Sequence, residues 1–579
     1  MEKHSEFTKI LLKNRGVENE EEINKFLNPN YEADLHDPFL MKDMEKACVR
    51  LFTAIEAQEK IVIYADYDAD GIPGAVVLDD LFKKIGYKNY EVYIPMRNSE
   101  GYGLNLSAIK EFAEKKVKLL ITVDLGITAV AEIIQAEVDG IDVIITDHHL
   151  PIIDATQSED FLGPRKGVSQ TLENLPTAPH IILPKAYAIL NPKVDNYPEK
   201  MLCAAGVVFK FVQAFIKKYG EFYKIHDGWE KWLLDMVAIA TLSDMVPLIG
   251  ENRALASFGM KVLRKTRRPG LQKLLAKMNM DQRHLLEDDV TFMITPRLNA
   301  ASRMDDPLRA FELLSTQDEI EAGELAKHLS KINDERKLIV ASIMREVKKK
   351  IEKRELGEII VIGNPKWRVG VLGLVAGKMS DEYKKTVFVW GKDENDLIKG
   401  SCRSNGKISV VELMTENKDH FIEFGGHEMA GGFTVHNDKI HFLEEAFLNS
   451  FKNIKVLEKK DLTENYDIEG DFSLVTMKNW KELEKLSPFG LANPKPVFLF
   501  KNIKIEKIKK FGKNGSGEHL EIIFSDLNNI KVKAISFFSN LESFQVKIEE
   551  NLKVSLLATF DFSRFGGKEE LRLRIIEIL

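Results

Sequence analysis

Residues 61–74 read Ile-Val-Ile-Tyr-Ala-Asp-Tyr-Asp-Ala-Asp-Gly-Ile-Pro-Gly, an apolar run that ends in aspartates at alternate positions, Asp66, Asp68 and Asp70. The run predicts a buried strand, and the glycines after it allow a tight turn into an apolar helix. In an extended segment, residues two apart point to the same side, so the three carboxylates crowd negative charge that a bound cation would offset. Hard divalent ions such as Mg²⁺ or Mn²⁺ bind carboxylate oxygens. For this stretch alone, an acidic surface turn and an isolated calcium loop stay open as alternatives.

Other apolar runs also end near residue types that ligate metals. Residues 118–123 precede Asp124, residues 143–146 precede Asp147-His148-His149, and residues 236–242 stop just before Asp244. A single aspartate after an apolar run is usually a helix cap or a turn residue. Four such endings in succession favour one shared site.

The order of predicted elements indicates the fold class. Four predicted strands alternate with three predicted helices: strands 61–65, 90–94, 118–123 and 142–146, and helices 75–85, 105–116 and 128–138. This alternation predicts an α/β fold with a doubly wound parallel sheet. Residues 151–200 are interpreted as a long loop and residues 201–265 as helical, followed by the basic run 264–268, which is either a solvated face or a phosphate contact.

Changes of pattern predict five segments. Residues 317–355 have the period of one long helix, a smaller α/β unit begins at 357, and short β-like runs after 456 suggest a barrel. The predicted segments are a helical lead-in (1–45), a catalytic domain (46–316), a connecting helix (317–356), a second α/β domain (357–455) and a nucleic-acid-binding barrel (456–579).

Bulk composition excludes several classes of protein. The chain has 579 residues, 44% of them hydrophobic, and its net charge of −7 argues against indiscriminate coating of nucleic acid but permits a local basic groove. Its three cysteines form no Cys-X-X-Cys pair, which excludes a cysteine zinc site or a disulfide framework. The N-terminus has no apolar signal core and no stretch approaches the ~20 apolar residues of a membrane span. We therefore expect no membrane association and a cytoplasmic location.

The motifs around these acids resemble those of a known superfamily. Asp-Tyr-Asp-Ala-Asp-Gly (66–71), Val-Asp-Leu-Gly-Ile (123–127), Asp-His-His (147–149) and Ser-Asp-Met-Val-Pro-Leu (243–248) are similar to the four metal motifs of the DHH phosphoesterase superfamily. The similarity runs nearly end to end. Within the superfamily, the chain resembles the bacterial exonucleases that degrade single-stranded DNA from 5′ to 3′ in DNA repair and recombination.

The resemblance implies two divalent metal ions, Mn²⁺ or Mg²⁺, and a role for each acid. One ion would be held by Asp70, Asp124, His148 and Asp244, and the other by Asp68 and the shared Asp124. Asp66 would help, because Tyr64 stands where small DHH phosphatases carry a ligand histidine. His149 would face the scissile phosphate, and Asp147 would orient the histidines.

The resemblance also implies residues that bind phosphate. Arg97, Ser401 and Arg403 match the pocket for the DNA 5′-phosphate, and Arg297, Asn299, Arg303 and His427 match residues beside the metals. A solvated surface arginine and an ion pair between domains stay open for Arg97 and Arg403. Two departures from the family pattern are Ser302, where a glycine is expected, and Arg368, where a histidine is expected; Arg368 is assigned no role.

The barrel resembles the oligonucleotide-binding (OB) fold appended in these exonucleases, and Lys504 to Lys513 adds basic residues and Phe511. By resemblance, the partners are single-stranded DNA, a single-strand-binding protein and a RecQ-type helicase, and the chain is a monomer. Two rival functions are a phosphodiesterase for very short oligonucleotides, which would lack the barrel, and a non-catalytic DNA-binding scaffold, which would lack metal ligands.

Overall fold

The computed structural model describes residues 4–97, 99–154, 180–352, 354–451, 466–512, 519–537, 539–544, 546–564 and 568–579. The chain divides into two compact units. The larger unit comprises His36–Val246 and Phe258–Lys459, and the smaller comprises Met1–Leu35, Pro247–Ser257 and Lys460–Leu579. Each described helix is too short or too polar to span a lipid bilayer.

Helices and strands are numbered in chain order. The helices are α1 (Glu6–Lys13), α2 (Glu20–Leu27), α3 (Tyr31–Asp34), α4 (Met44–Glu56), α5 (Gly71–Ile85), α6 (Leu106–Glu114), α7 (Val130–Val138), α8 (Ala204–Tyr219), α9 (Leu234–Ser243), α10 (Gly250–Leu263), α11 (Pro269–Lys277), α12 (Glu287–Asp289), α13 (Thr295–Met304), α14 (Leu308–Ser315), α15 (Glu319–Ile351), α16 (Leu372–Tyr383), α17 (Val410–Glu416), α18 (Leu443–Phe451) and α19 (Met477–Glu484). The strands are β1 (Lys60–Ala65), β2 (Tyr90–Tyr93), β3 (Val117–Val123), β4 (Asp142–Thr146), β5 (Ile152–Asp154), β6 (His180–Ile182), β7 (Ala188–Leu190), β8 (Ile359–Gly363), β9 (Thr386–Lys392), β10 (Ile398–Arg403), β11 (Phe421–His427), β12 (Ala430–Val435), β13 (Ile468–Gly470), β14 (Phe498–Phe511), β15 (His519–Ser525), β16 (Lys531–Phe537), β17 (Lys553–Ser563) and β18 (Glu570–Ile578).

The first sheet of the larger unit is parallel, with strand order β2-β1-β3-β4-β7. In β1, Ile61–Ala65 are all buried. Both faces of the strand are covered, which explains why apolar residues do not alternate with polar ones along it. The predicted α/β fold class is confirmed. The described parts of the predicted loop 151–200 contain three strands of three residues each, the fifth strand β7 and the antiparallel pair β5 and β6, so regular structure there is short, as predicted; residues 155–179 lie outside the described chain.

Helix α5 begins at Gly71, immediately after the third aspartate, whereas the sequence predicts a start at 75. A Cβ on Gly71 would lie 2.5 Å from the carbonyl oxygen of Asp66, so only glycine allows this close return of the chain. The aspartates are therefore held at the junction of a strand and a helix. The apolar run 236–242 belongs to helix α9.

Helix α15 confirms the predicted long helix. The Asp318 side chain caps it by accepting hydrogen bonds from the amides of Ile320 and Glu321. Its first half packs on α11, α13 and α14, and its second half on α16 beneath the second sheet, which has the order β11-β12-β10-β9-β8. This helix connects the two α/β parts of the larger unit.

The smaller unit is a closed barrel with strand order β13-β14-β15-β16-β18-β17, in which β14 also pairs with β17. Leu11, Leu12 and Ile23 of α1 and α2 lie in the same buried cluster as Phe498, Phe500 and the other barrel residues. The N-terminal helices therefore complete the core of the barrel.

Candidate metal centre

The carboxyl ends of the parallel strands bring the predicted ligands together. Asp66 follows β1, Asp124 follows β3, Asp147 to His149 follow β4, and Asp244 follows α9. Their donor atoms form three groups, each lying within 4.8 Å: Asp124, His148 and His149; Asp70, His148 and Asp244; and Asp66, Asp68 and Asp124. Because Asp124 and His148 each belong to two groups, the three form one continuous site.

His148 stands among three carboxylates. Its Nε2 atom lies 3.1 Å from Asp124 Oδ1 and 3.8 Å from Asp70 Oδ2, and its Nδ1 atom lies 3.7 Å from Asp244 Oδ2. The contact with Asp124 lacks hydrogen-bond geometry, and Asp124 Oδ1 is buried without a hydrogen-bond partner in the described chain. These atoms therefore face one another as separate ligands would.

Asp70 and Asp68 are fixed by helix N-termini. The carboxylate of Asp70 accepts hydrogen bonds from the amides of Ala204 and Ala205, at 2.7 and 2.8 Å, where α8 begins. Asp68 Oδ1 accepts from the amides of Asp70 and Gly71 at the start of α5. The positive ends of two helices thus hold negative side chains in place.

Asp124 combines backbone strain with burial. Its φ is 66°, a left-handed value that is unusual for a residue other than glycine. The Oδ1 atoms of Asp124 and Asp66 are both buried, and neither has a hydrogen-bond partner among the described residues. Strained backbone and orphaned carboxylate oxygens concentrate at functional sites.

Burial shifts the protonation of the whole group. It raises the pKa of Asp66 and Asp124, and neighbouring carboxylates raise each further. Burial and the charge of Asp68 raise the pKa of Asp70 to about 7, and burial and the charge of Asp70 raise that of Asp244 to about 8. Burial, followed by the charge of His149, lowers the pKa of His148 to about 3. Clustered carboxylates with one neutral imidazole fit a hard divalent cation such as Mn²⁺ or Mg²⁺.

His149 is held by Asp147. Its Nδ1 atom lies 2.8 Å from Asp147 Oδ1, and the other Asp147 oxygen accepts from the Ile127 amide at 2.9 Å. Burial opposes charge on both groups, but their hydrogen bond raises the pKa of His149 and lowers that of Asp147. The pair therefore keeps a polarised imidazole at the half-exposed side of the site.

Sequence reasoning missed Tyr102. Its hydroxyl donates to the Asp124 carbonyl at 3.2 Å and lies 3.4 Å from Nδ1 of His149. The Gly-Tyr-Gly sequence at 101–103, in a loop at the same sheet edge, was the available signal. Tyr64, at the position of a ligand histidine in small DHH phosphatases, is buried and donates to the Gly103 carbonyl, so it supports this loop.

Arginines lie next to the acids. The charge of Arg97 acts on both Asp66 and Arg303, and Arg97 lies over the Tyr67 ring at 5.0 Å. Burial, then the charges of Arg97 and Arg336, lower the pKa of Arg303 to about 9. Arg297 is buried on the same helix, α13, and its Nη1 atom donates to the Met293 carbonyl. In the described chain, none of these arginines has a carboxylate within ion-pair distance.

Ser401 and Arg403 lie on β10 beside the first turn of α16. A Cβ on Gly373 would lie 3.1 Å from Ser401 Oγ and 3.5 Å from Arg403 Nη2, so this glycine allows both side chains to pack closely against the start of α16. Burial lowers the pKa of Arg403, and the charge of Arg97 lowers it further, although Cys402 opposes this. The charges of Arg97 and Arg403, which belong to the two α/β parts, therefore act on each other.

The remaining predicted residues have different surroundings. Asn299 has its Oδ1 atom buried without a hydrogen-bond partner in the described chain. His427 is an exposed residue at the β11–β12 hairpin and belongs to none of the three ligand groups. Ser302 is buried in α13, and Arg368 donates to the Met304 carbonyl at 2.6 Å, a contact that joins the second α/β part to α13.

Comparisons with known proteins match this architecture. Family models match the DHH family N-terminal domain over residues 60–169, the DHHA1 domain over 337–453 and the RecJ OB domain over 466–577. The single-stranded-DNA-specific exonuclease RecJ of Bacillus subtilis is 33% identical over 569 residues, which span 98% of this chain and 67% of that protein. The protein of the same name from Haemophilus influenzae is 28% identical, over 98% of this chain and 94% of its own length.

Solved structures share the fold. RecJ from Thermus thermophilus in complex with Mn²⁺ matches with a TM-score of 0.77 at 23% identity, over 99% of this chain and 76% of that one. A structure of exonuclease RecJ bound to manganese matches with a TM-score of 0.59 at 26% identity, over 72% of this chain and 96% of that one. The three-part domain match and the extent of the similarity to the Bacillus subtilis protein lead to one conclusion: the chain belongs to the RecJ family of DHH proteins.

Proposed function

We propose that this protein is a metal-dependent exonuclease that hydrolyses phosphodiester bonds of single-stranded DNA from 5′ to 3′, in DNA repair and recombination. One observation carries the proposal: a buried, uncompensated group of carboxylates lies next to a group of arginines that also lack ion-pair partners in the described chain. The carboxylates would bind a cation, and the arginines would bind an anion. A metal-bound phosphodiester supplies both.

The proposed metal ligands combine the observed groups with the family resemblance. Asp70, His148 and Asp244, which form one observed group, would hold one divalent ion together with Asp124, and the observed group Asp66, Asp68 and Asp124 would hold a second. When bound, such ions supply an activated water and stabilise the leaving oxygen. The protein supplies the fixed positions of the ligands, through the strand ends and the two helix N-termini.

The other side chains act on the phosphate. His149, polarised by Asp147, donates a hydrogen bond to a non-bridging oxygen of the scissile phosphate, and Tyr102 helps to position the ring. Arg297, Asn299 and Arg303 bind the negative charge that grows in the transition state. The exposed His427 is proposed to contact the strand from the second α/β part.

The polarity of the exonuclease is assigned to Arg97, Ser401 and Arg403. A terminal phosphate carries more charge than an internal one, and here it meets two guanidiniums, a hydroxyl and the N-terminus of α16. The absence of a side chain at Gly373 keeps Ser401 and Arg403 close to the backbone at the start of α16, so one anion could contact all three. A strand would therefore stop where its 5′-phosphate is bound.

The barrel is assigned to binding single strands beyond the active site. On its outer face, Phe511, His519 and Phe537 are direct cross-strand neighbours, with ring centroids 5.2 and 5.4 Å apart along the row. Arg574 lies over Phe537, and Lys507 and Lys509 are exposed on β14, the strand that carries Phe511. Unpaired bases stack on such rings, whereas a duplex has no free base faces to offer.

Further expectations belong to the same proposal: by resemblance, a single-strand-binding protein and a RecQ-type helicase as partners and a monomeric state; from composition, a cytoplasmic location; and from the changes of pattern, the division of the chain into segments, with the helical lead-in now joined to the barrel.

The experiment is digestion of a single strand labelled at either end, in the presence of Mn²⁺. We expect mononucleotides to be released from the 5′ end, and the matching duplex to resist. A protein that binds the strand without cutting it would support the scaffold function, and one that cuts only dinucleotides would support the short-oligonucleotide phosphodiesterase. Release from the 3′ end would contradict the assigned polarity.

A further inference from the structure

Helices α13 and α15 pack on each other with an unusual number of unpartnered polar atoms between and beside them. In the described chain these buried atoms lack hydrogen-bond partners: Arg297 Nε, Asn299 Oδ1 and Arg303 Nε on α13, and Ser330 Oγ, Asn333 Nδ2, Asn333 Oδ1 and Arg336 Nε on α15. Buried polar groups in folded proteins are almost always paired. A concentration of exceptions on two neighbouring helices indicates a place where a polar ligand binds.

Asn333 and Arg336 are not explained by the fold. Asn333 is completely buried, yet neither its donor nor its acceptor atom is used within the described chain. Arg336 lies one turn further along α15, and the described residues give it no carboxylate partner, although acids on the same helix pair with lysines, as Asp334 does with Lys337. Leucine and methionine would fill such positions in a helix that served only to connect two domains.

The charges of the arginines act on one another. Arg97 lowers the pKa of Arg403, Arg97 and Arg336 lower that of Arg303, and Arg297 lowers that of Arg336. The charge of Asp68 also acts on Arg303. Arg336 therefore belongs electrostatically with the arginines beside the metal centre, and the packing of α15 on α13 places it there.

We propose that Arg336, next to the buried Asn333 on α15, forms a subsite for a backbone phosphate of the nucleic-acid strand on the 3′ side of the bond that is cut. The subsite rests on the proposed function, since that function places the 5′ end of the strand in its pocket and the rest of the strand on the 3′ side. Arg336 binds a phosphate oxygen through its guanidinium. A monoanionic phosphodiester is the ligand class, because Arg336 offers donors and positive charge but no metal ligand.

Length dependence tests the subsite. Arg336→Gln is compared with Lys337→Gln, the adjacent exposed cation, on the dinucleotide pTpT and on 5′-phosphorylated dT20. We expect Arg336→Gln to raise KM for dT20 by about tenfold or more, with little change for pTpT, which is too short to reach the subsite. Lys337→Gln should behave as wild type on both.

Binding without turnover separates this inference from the proposed function. With Ca²⁺ and fluorescently labelled dT20, Arg336→Gln should weaken binding and reduce the slope of log affinity against log salt by about 0.7, the value for one lost phosphate contact on a single strand. Arg336→Lys, which keeps the charge, should restore the slope. The melting temperature should not fall, because loss of an arginine that binds a ligand leaves the ligand-free fold intact, whereas loss of a structural arginine would lower it.

Equal losses on pTpT and dT20, or an unchanged salt slope in Arg336→Gln, would overturn the subsite. Failure of wild type to cut any strand would refute the exonuclease but leave the binding comparison intact.

Discussion

Arg268 and Arg303 both have guanidinium atoms withdrawn from solvent, but only Arg268 is compensated. Its Nε atom lies 2.9 Å from Asp235, and its Nη2 atom pairs with Asp80. Burial opposes charge on Arg268, yet these two carboxylates raise its pKa above the ordinary value. Burial and the charges of Arg97 and Arg336 outweigh the charge of Asp68 at Arg303, and its pKa is lowered instead.

The acids show the same contrast. Asp235 is buried and receives hydrogen bonds from Thr266 and Arg268, whereas Asp124 is buried beside Asp70 and Asp68 with an oxygen that has no partner in the described chain. Isolated buried charges destabilise a fold. Buried charges are paired around Arg268 and Asp235 but unpaired around Asp124 and Arg303, which indicates that the second region binds ligands. Uncompensated charge separates the functional region from the structural one.

The largest effect is expected from Asp124→Ala. This change removes the carboxylate shared by two ligand groups, and we expect the cleavage rate to fall by a factor of at least about 10³. Binding of single strands and the fold should persist, because removal of an uncompensated charge relieves repulsion. Asp139→Ala, outside the site, is the matched control, and a mutant that kept a tenth of the wild-type rate would contradict the assignment.

The second effect concerns stability. Arg268→Met strands two buried carboxylates and should lower the free energy of unfolding by about 3 to 5 kcal/mol. Arg303→Met should change it by less than about 1 kcal/mol, because no carboxylate loses its partner. Thermal unfolding compares the two variants, and an equal loss in both would erase the proposed distinction.

A smaller effect is expected from Arg403→Ala on end recognition. Wild type should degrade a 5′-phosphorylated strand faster than a 5′-hydroxyl strand, and the mutant should lose most of that preference, a change of about tenfold. Mn²⁺ binding should be unaffected. Arg345→Ala, which changes an exposed arginine of α15, serves as control. An undiminished preference for the 5′-phosphate in Arg403→Ala would indicate that Arg403 has only a structural role.

The smallest effect is a dependence of stability on pH. Asp70 and Asp244 have pKa values of about 7 and 8, well above that of an unfolded aspartate. Between the pKa of an unfolded aspartate, about 4, and these folded values, the folded state holds more protons than the unfolded state, so the two acids should make the metal-free protein lose stability as pH rises towards about 8. His148, with a pKa of about 3 when folded and about 6.5 when unfolded, acts in the opposite direction below about pH 7, because there the unfolded state holds the extra proton.

Metal binding displaces these protons, so the rise in melting temperature on adding Mn²⁺ should be larger at about pH 8.5 than at about pH 6.5. Thermal unfolding with EDTA and with Mn²⁺ at both values checks this. A metal-induced shift that did not grow between these pH values would show that the carboxylates are already ionised at about pH 6.5.

The sequence predicts the acidic half of the site better than the basic half. Asp66, Asp124 and His148 follow apolar runs, and parallel strands bring such ends to one edge. Arg336 has no comparable signal, since it is one of many charged residues on a long helix and only the packing on α13 reveals that it is unpaired. For Arg268, the last residue of the basic run 264–268, neither predicted alternative holds. Its side chain is buried and paired with Asp80 and Asp235, so it is neither solvated nor available to phosphate.

Long-range packing also escapes sequence patterns. Leu11 and Ile23 have ordinary amphipathic spacing, which indicates a buried face but not that the barrel is what buries it. The strand β7 is only three residues long, and its pairing with β4 rather than its own sequence defines it. Tyr102 acts through its position above Asp124, which depends on how a glycine-containing loop folds.

The most direct test of the account is Mn²⁺ binding measured by equilibrium titration with wild type, Asp124→Ala and Asp139→Ala. The account predicts two ions per chain for wild type and Asp139→Ala, and loss of tight binding at both positions in Asp124→Ala. Unchanged Mn²⁺ binding in Asp124→Ala would contradict it, because the unpaired carboxylate of Asp124 would then not be a metal ligand.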